Sequence, residues 1–144
     1  MASFGSKSRE RLNTCHSDLK LICNEVIKTF DFSVLEGSRT YSKQREYFKA
    51  GRSKLDGVKH KSKHQSLPKS EAVDIAPYPI DFKQIEKSKA RFYLLAGMMF
   101  QASERLFDEG KITHKLRWGG DWDGDKEFSD QSFDDLPHFE LVRV

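Results

Sequence analysis

The strongest constraint on this chain is a pair of short segments that alternate apolar and polar side chains. They are Ala72-Val73-Asp74-Ile75-Ala76-Pro77 and His138-Phe139-Glu140-Leu141. Successive side chains of a strand point to opposite faces. Val73 and Ile75 therefore face one way and Asp74 the other. Phe139 and Leu141 likewise oppose His138 and Glu140. If both apolar pairs line a core, Asp74 and His138 look into one cleft, and His64 on the preceding loop can close over it. Two imidazoles and a carboxylate suit Zn²⁺ and leave a fourth position for water, the pattern of catalytic zinc sites.

The remaining pattern reads as scaffold. Leu12, Cys15, Leu19, Ile22 and Val26 recur at three and four, predicting one helix over about residues 8–29. Residues 32–35 predict a strand ended by Glu36-Gly37, and 41–50 a short helix stopped at Gly51. Residues 52–70 lack periodicity and read as a long loop. Asp81 is the expected N-cap of a helix running to about residue 108, with Phe92, Leu95, Met99, Ala102 and Leu106 as its buried stripe. Strands are expected at 115–118 and 138–142. The expected fold class is α+β, a small antiparallel sheet packed against helices in a single domain over 1–144.

Charge narrows the function classes. The net charge is +3, but five Lys face one Asp between Lys54 and Lys69, while six Asp and two Glu face one Lys between Asp121 and Glu140. Neither the sum nor any motif favours a nucleic-acid partner. No apolar run approaches the roughly 20 residues of a membrane span, so no stable membrane association is expected. The N-terminus shows no apolar h-region, so no Sec-type signal is expected. Cys15 and Cys23, about 12 Å apart on a single helix, are too distant for a disulfide and read as buried thiols. Asp121, Asp123 and Asp125 alternate around Gly124 and suit a hard cation such as Ca²⁺, although the spacing is not that of an EF-hand. A solvated or substrate-shaping loop is the competing reading.

Five motifs in order resemble the phage L-alanyl-D-glutamate endopeptidases, relatives of the VanY-type zinc D,D-peptidases. They are Glu36-Gly37-Ser38-Arg39-Thr40 with Gln44; Gly51 to Val58 with Ser62-Lys63-His64; Ala72 to Pro77; Leu116-Arg117-Trp118-Gly119-Gly120-Asp121-Trp122; and Asp135-Leu136-Pro137-His138-Phe139-Glu140-Leu141. The resemblance implies a hedgehog/DD-peptidase-like fold, with zinc held by His64, Asp74 and His138. It implies Asp135 as the acid/base carboxylate and Arg39 as the active-site arginine. Gln44, Ser62, Trp118 and Glu140 are expected around this set, as substrate contacts or as supports of the ligands. The D,D-dipeptidase branch places a Glu two residues before its last His, where this chain has Leu136. Many members step seven residues from the first His to the Asp. Here the step is ten, filled by Gln65–Glu71 without glycine.

The activity implied is hydrolysis of the L-alanyl–D-glutamate bond of peptidoglycan by a monomeric, single-domain phage endolysin with no separate wall-binding module. Such an enzyme would wait in the host cytoplasm and reach the wall through a holin at lysis. The competing readings are a D-alanyl-D-alanine carboxypeptidase and a non-catalytic zinc-binding module.

Overall fold

The alternation in the sequence is realised as a four-stranded antiparallel sheet. Its strands are β1 (Phe32–Glu36), β2 (Ala72–Pro77), β3 (Lys115–Trp118) and β4 (His138–Val142), in the order β1-β2-β4-β3. The computed structural model describes residues 2–129 and 134–144; Asp130 of the acidic loop lies outside them. In the β2–β4 ladder Asp74 stands opposite His138, Val73 opposite Phe139 and Ala72 opposite Glu140. This register puts the apolar partners on one face and the chemically active ones on the other.

Helices cover the apolar face. Leu19, Ile22, Cys23 and Val26 of α2 (Ser17–Val26) and Leu95, Met99 and Leu106 of α4 (Lys89–Asp108) join Val34, Val73, Ile75, Phe139 and Leu141 in one core. The active face looks toward α3 (Tyr41–Lys49) and the loop that follows it. Gly51 ends α3 with a φ of +75°, a conformation that suits glycine. No helix among the described residues is long and apolar enough to cross a membrane.

Two expected elements are corrected. The single helix over 8–29 is two, α1 (Ser6–Leu12) and α2. The chain breaks between them because it pairs with Ser70: the His16 amide donates to the Ser70 carbonyl at 2.8 Å, and the Ser70 amide to the Thr14 carbonyl at 2.9 Å. His16 Nδ1 then caps α2 by accepting from the Asp18 amide at 3.0 Å. The apolar stripe runs on across the break because Leu12, Cys15 and Leu19 all enter the same core. Cys15 therefore lies in the break and Cys23 on α2; both are unbridged and buried, and burial pushes the Cys15 thiol up to about 11. Asp81 does cap a helix, but a 3-10 segment, Phe82–Ser88. Gln84 departs from helical geometry there, and α4 begins only at Lys89.

Candidate metal centre

Three acceptor atoms converge at the edge of the β2–β4 ladder. His64 Nε2, Asp74 Oδ1 and His138 Nδ1 lie 3.2 Å from one another along all three sides. Tetrahedral Zn²⁺ with bonds of about 2.0–2.1 Å sets its ligand atoms about 3.3–3.4 Å apart, so the triangle has the size of one face of such a site. Both His64 and His138 are buried.

The outer nitrogens fix the direction of the protons. His64 Nδ1 is 2.7 Å from the Gly37 carbonyl, which can only accept, so the proton of a neutral His64 sits on Nδ1. His138 Nε2 is 2.8 Å from Glu140 Oε1, which places its proton on Nε2. Both inner nitrogens then present lone pairs to a carboxylate oxygen. Three acceptors at this distance repel unless a cation stands among them, so the donor set fits a metal such as zinc. Without a metal, a proton takes that place. Burial alone would lower the His138 imidazole, but its bonds to Asp74 and Glu140 push it up to about 9. Burial would raise Asp74, yet the two imidazoles hold it well below the usual carboxylate range. Burial would likewise raise Glu140, but His138 and Arg117, whose Nη2 donates at 2.6 Å, keep it low.

Local structure explains how the three candidate ligands are held. Ser62 caps the 3-10 turn Lys63–Gln65: its Oγ accepts from the His64 amide, and Gln65 reaches back to the Ser62 amide at 2.9 Å. The Arg39 amide donates to the His64 carbonyl at 2.7 Å. The long step to Asp74 loops outward through exposed Leu67, and returns where the Glu71 amide meets the Lys63 carbonyl at 3.1 Å. The three additional residues therefore leave the ligands in register. Gly37 is required where its carbonyl meets His64, since a Cβ there would collide with Thr14 and the Arg11 carbonyl.

A cleft of about 1000 Å³ opens over the triangle. Asp135 lines it, and its carboxyl is raised by burial first and by Asp74 second; His138, His64 and Arg39 oppose the rise. The Asp135 amide donates to the Gly119 carbonyl at 2.9 Å, and a Cβ on Gly119 would strike the Asp135 backbone. Arg39 is largely committed. Its Nε donates to Glu36 at 2.6 Å, one Nη to Gln44 Oε1 at 2.7 Å, and the other faces Glu36 and lies 3.6 Å from Asp74 Oδ2. Gln44, fully buried, is held in turn by Ser53 and the Leu55 carbonyl.

Of the residues expected around the ligands, Gln44, Ser62 and Glu140 stand beside them as supports. Trp118 does not face the cleft. It is 1% exposed, stacks on Phe139, and donates to the Leu136 carbonyl at 2.7 Å, which fixes the chain just before His138. Glu36, Tyr47, Arg117 and Trp122 line the cleft without having been singled out for a role. Their signal was present in part: Glu36 stands three residues before Arg39, and Trp122, whose ring lies 5.4 Å from that of His138, closes a quoted motif.

The acidic loop forms a second gathering. Ligand atoms of Asp121, Asp123 and Asp125 lie within 4.8 Å of one another. Asp121 is buried, with Oδ2 accepting from the Lys126 amide at 3.1 Å and Oδ1 without a hydrogen-bond partner among the described residues. Slight desolvation and then the neighbouring carboxylates Asp125 and Asp121 raise Asp123.

The model of a family described as phage L-alanyl-D-glutamate peptidase matches residues 1–142. Among solved structures, the fold is similar to that of the Serratia marcescens L-Ala D-Glu endopeptidase ChiX. The TM-score is 0.64 at 23% identity, covering 97% of this chain and 90% of that one. Comparison with curated proteins gave no match.

Proposed function

Since the chain belongs to the phage L-alanyl-D-glutamate peptidase family, we propose that it is a zinc endopeptidase cutting the L-alanyl–D-glutamate bond of peptidoglycan stem peptides. The observation that carries this reading is the triangle of inward lone pairs on His64, Asp74 and His138. When bound there, zinc supplies a Lewis acid for the scissile carbonyl and a source of hydroxide near neutral pH. Asp135, with its raised carboxyl, takes the proton of the attacking water and returns it to the leaving amine. Arg39, fixed by Glu36 and Gln44, keeps a positive charge beside Asp74, where it offsets the negative charge that develops on the carbonyl oxygen. Glu140 and the Gly37 carbonyl hold the two imidazoles in the tautomers that ligation needs. In the life of a phage this activity opens the host wall, which the enzyme would reach from the host cytoplasm through a holin.

The buried, unpartnered Oδ1 of Asp121 favours a second part of the reading, in which Asp121, Asp123 and Asp125 hold Ca²⁺. Titration of the zinc-loaded protein with Ca²⁺ should give heat and raise Tm; neither response would remove this part.

The principal test combines zinc analysis with mass spectrometry of digested sacculi. One zinc per chain and new amino-terminal D-glutamate are expected for the wild type, and neither for His138→Ala. Release of free D-alanine with the L-alanyl–D-glutamate bond intact would replace this reading with a carboxypeptidase. Wild type and Asp135→Ala that both hold zinc and are equally inert would replace it with a non-catalytic module.

A further inference from the structure

The cations that line the cleft are Arg39, Arg52, Lys54, Lys61, Lys63 and Arg117. Most are already engaged. Arg39 is tied to Glu36 and Gln44, Arg117 to Glu140, and Lys63 to the Leu141 carbonyl and Glu140. Lys54 also has a partner. Arg52 differs. Its guanidinium has no hydrogen bond or ion pair among the described residues, and it lies over the Tyr47 ring, 5.0 Å from the centroid. Arg39 uses the same ring at 4.6 Å. Tyr47 is itself fixed by donating its hydroxyl to Glu36 at 3.0 Å. Stacking on a fixed ring limits the rotamers of Arg52 and leaves its N–H edge open to the cleft.

Resting on the endopeptidase reading above, we propose that Arg52 is a specificity-determining residue that binds a substrate carboxylate one residue beyond the D-glutamate. Arg39 already stands beside Asp74, next to the bond to be cut. Arg52 shares the Tyr47 ring with Arg39, so the two guanidinium carbons lie within about 10 Å of one another, a span of up to three residues of extended peptide. A guanidinium with a planar, unengaged fork selects a carboxylate over the isosteric amide because only the former accepts two charge-assisted hydrogen bonds. Lys61, also without a partner among the described residues, adds positive potential on the same cleft.

The test uses the zinc-loaded full chain and two synthetic peptides. Both carry L-alanyl–γ-D-glutamyl followed by a diamino acid, whose side-chain carboxylate is free in one and amidated in the other. For the wild type, amidation should raise KM by about tenfold with kcat little changed. Arg52→Gln should raise KM for the free-carboxylate peptide by a similar factor and abolish the difference between the two; Arg52→Lys should restore part of it. Arg52 is exposed, so these variants should fold, and an unchanged Tm checks this. Wild type that cuts both peptides equally well, or Arg52→Gln that still discriminates, overturns the proposal and leaves the endopeptidase reading standing. Zinc-loaded wild type that cuts neither peptide overturns that reading and the proposal with it.

Discussion

Among the described residues, two clusters share one composition, two histidines and an aspartate, and differ in where their protons lie. In His64, Asp74 and His138 the protons point outward, to Gly37 and Glu140, and the lone pairs point inward. In His16, Asp18 and His114 the protons lie between the groups. Asp18 Oδ2 accepts from His114 Nδ1 at 2.8 Å and from the Thr113 amide at 3.0 Å, while His16 Nδ1 accepts from the Asp18 amide. The second cluster is closed by its own hydrogen bonds and staples the start of α2 to the segment entering β3. The first is closed only by a cation. Residue types within reach of one another do not make a metal site; the outer partners that set the tautomers do.

The largest effect should separate the clusters outright. Asp74→Ala or His138→Ala should remove zinc and lower hydrolysis of sacculi by at least about a thousandfold, whereas His114→Ala should keep one zinc per chain and near wild-type activity. Metal analysis and turnover on the same preparations check this; loss of zinc in His114→Ala would break the distinction. Next, Asp135→Asn should keep zinc and lose about 10²–10⁴ in kcat. Its carboxyl is raised by burial, so the protonated form is favoured in the folded state. Any stability from this group is present at low pH and lost as pH rises through its folded pKa. Asp135→Asn should therefore raise Tm of the metal-free protein at neutral pH while it lowers activity, a pairing that calorimetry and kinetics would reveal together.

A smaller effect belongs to the outer partner. Glu140→Gln should weaken zinc binding by about 10- to 100-fold, read by competition with a chelator. Because His138 of the metal-free protein holds a proton up to about pH 9, zinc binding at pH 7 should release about one proton, measured as heat that varies with buffer. The smallest effect is on the stapling cluster. Asp18→Asn should cost about 1–3 kcal/mol of stability with zinc content unchanged. Its folded pKa is lowered by bonds from His114 and Thr113 against an opposing burial effect, so this contribution is present at neutral pH and lost as pH falls through that pKa.

Two of the three candidate ligands could be brought together from sequence because strand alternation is a rigid rule: once Val73 and Phe139 are buried, Asp74 and His138 must share the other face. Glu140 followed from the same rule. The break between α1 and α2 could not be read, because the apolar stripe is continuous across it and its cause, Ser70, lies far along the chain. Trp118 was drawn toward the cleft by its motif, although strand parity already puts it on the same face as Leu116, in the core, where it stacks on Phe139. The commitment of Arg39 to Glu36 and Gln44 depends on where α3 docks, which no local pattern encodes. The second His₂Asp cluster was invisible for the same reason: His16 and His114 are almost a hundred residues apart and meet only through the fold.

The most direct test of the account is the imidazole ¹⁵N spectrum of the protein before and after addition of one equivalent of zinc. The account predicts that His64 ligates through Nε2 with its proton on Nδ1, that His138 ligates through Nδ1 with its proton on Nε2, and that the His16 and His114 signals stay in place. Zinc-dependent shifts at His16 and His114, or ligation of His64 and His138 through the same ring nitrogen, would contradict it.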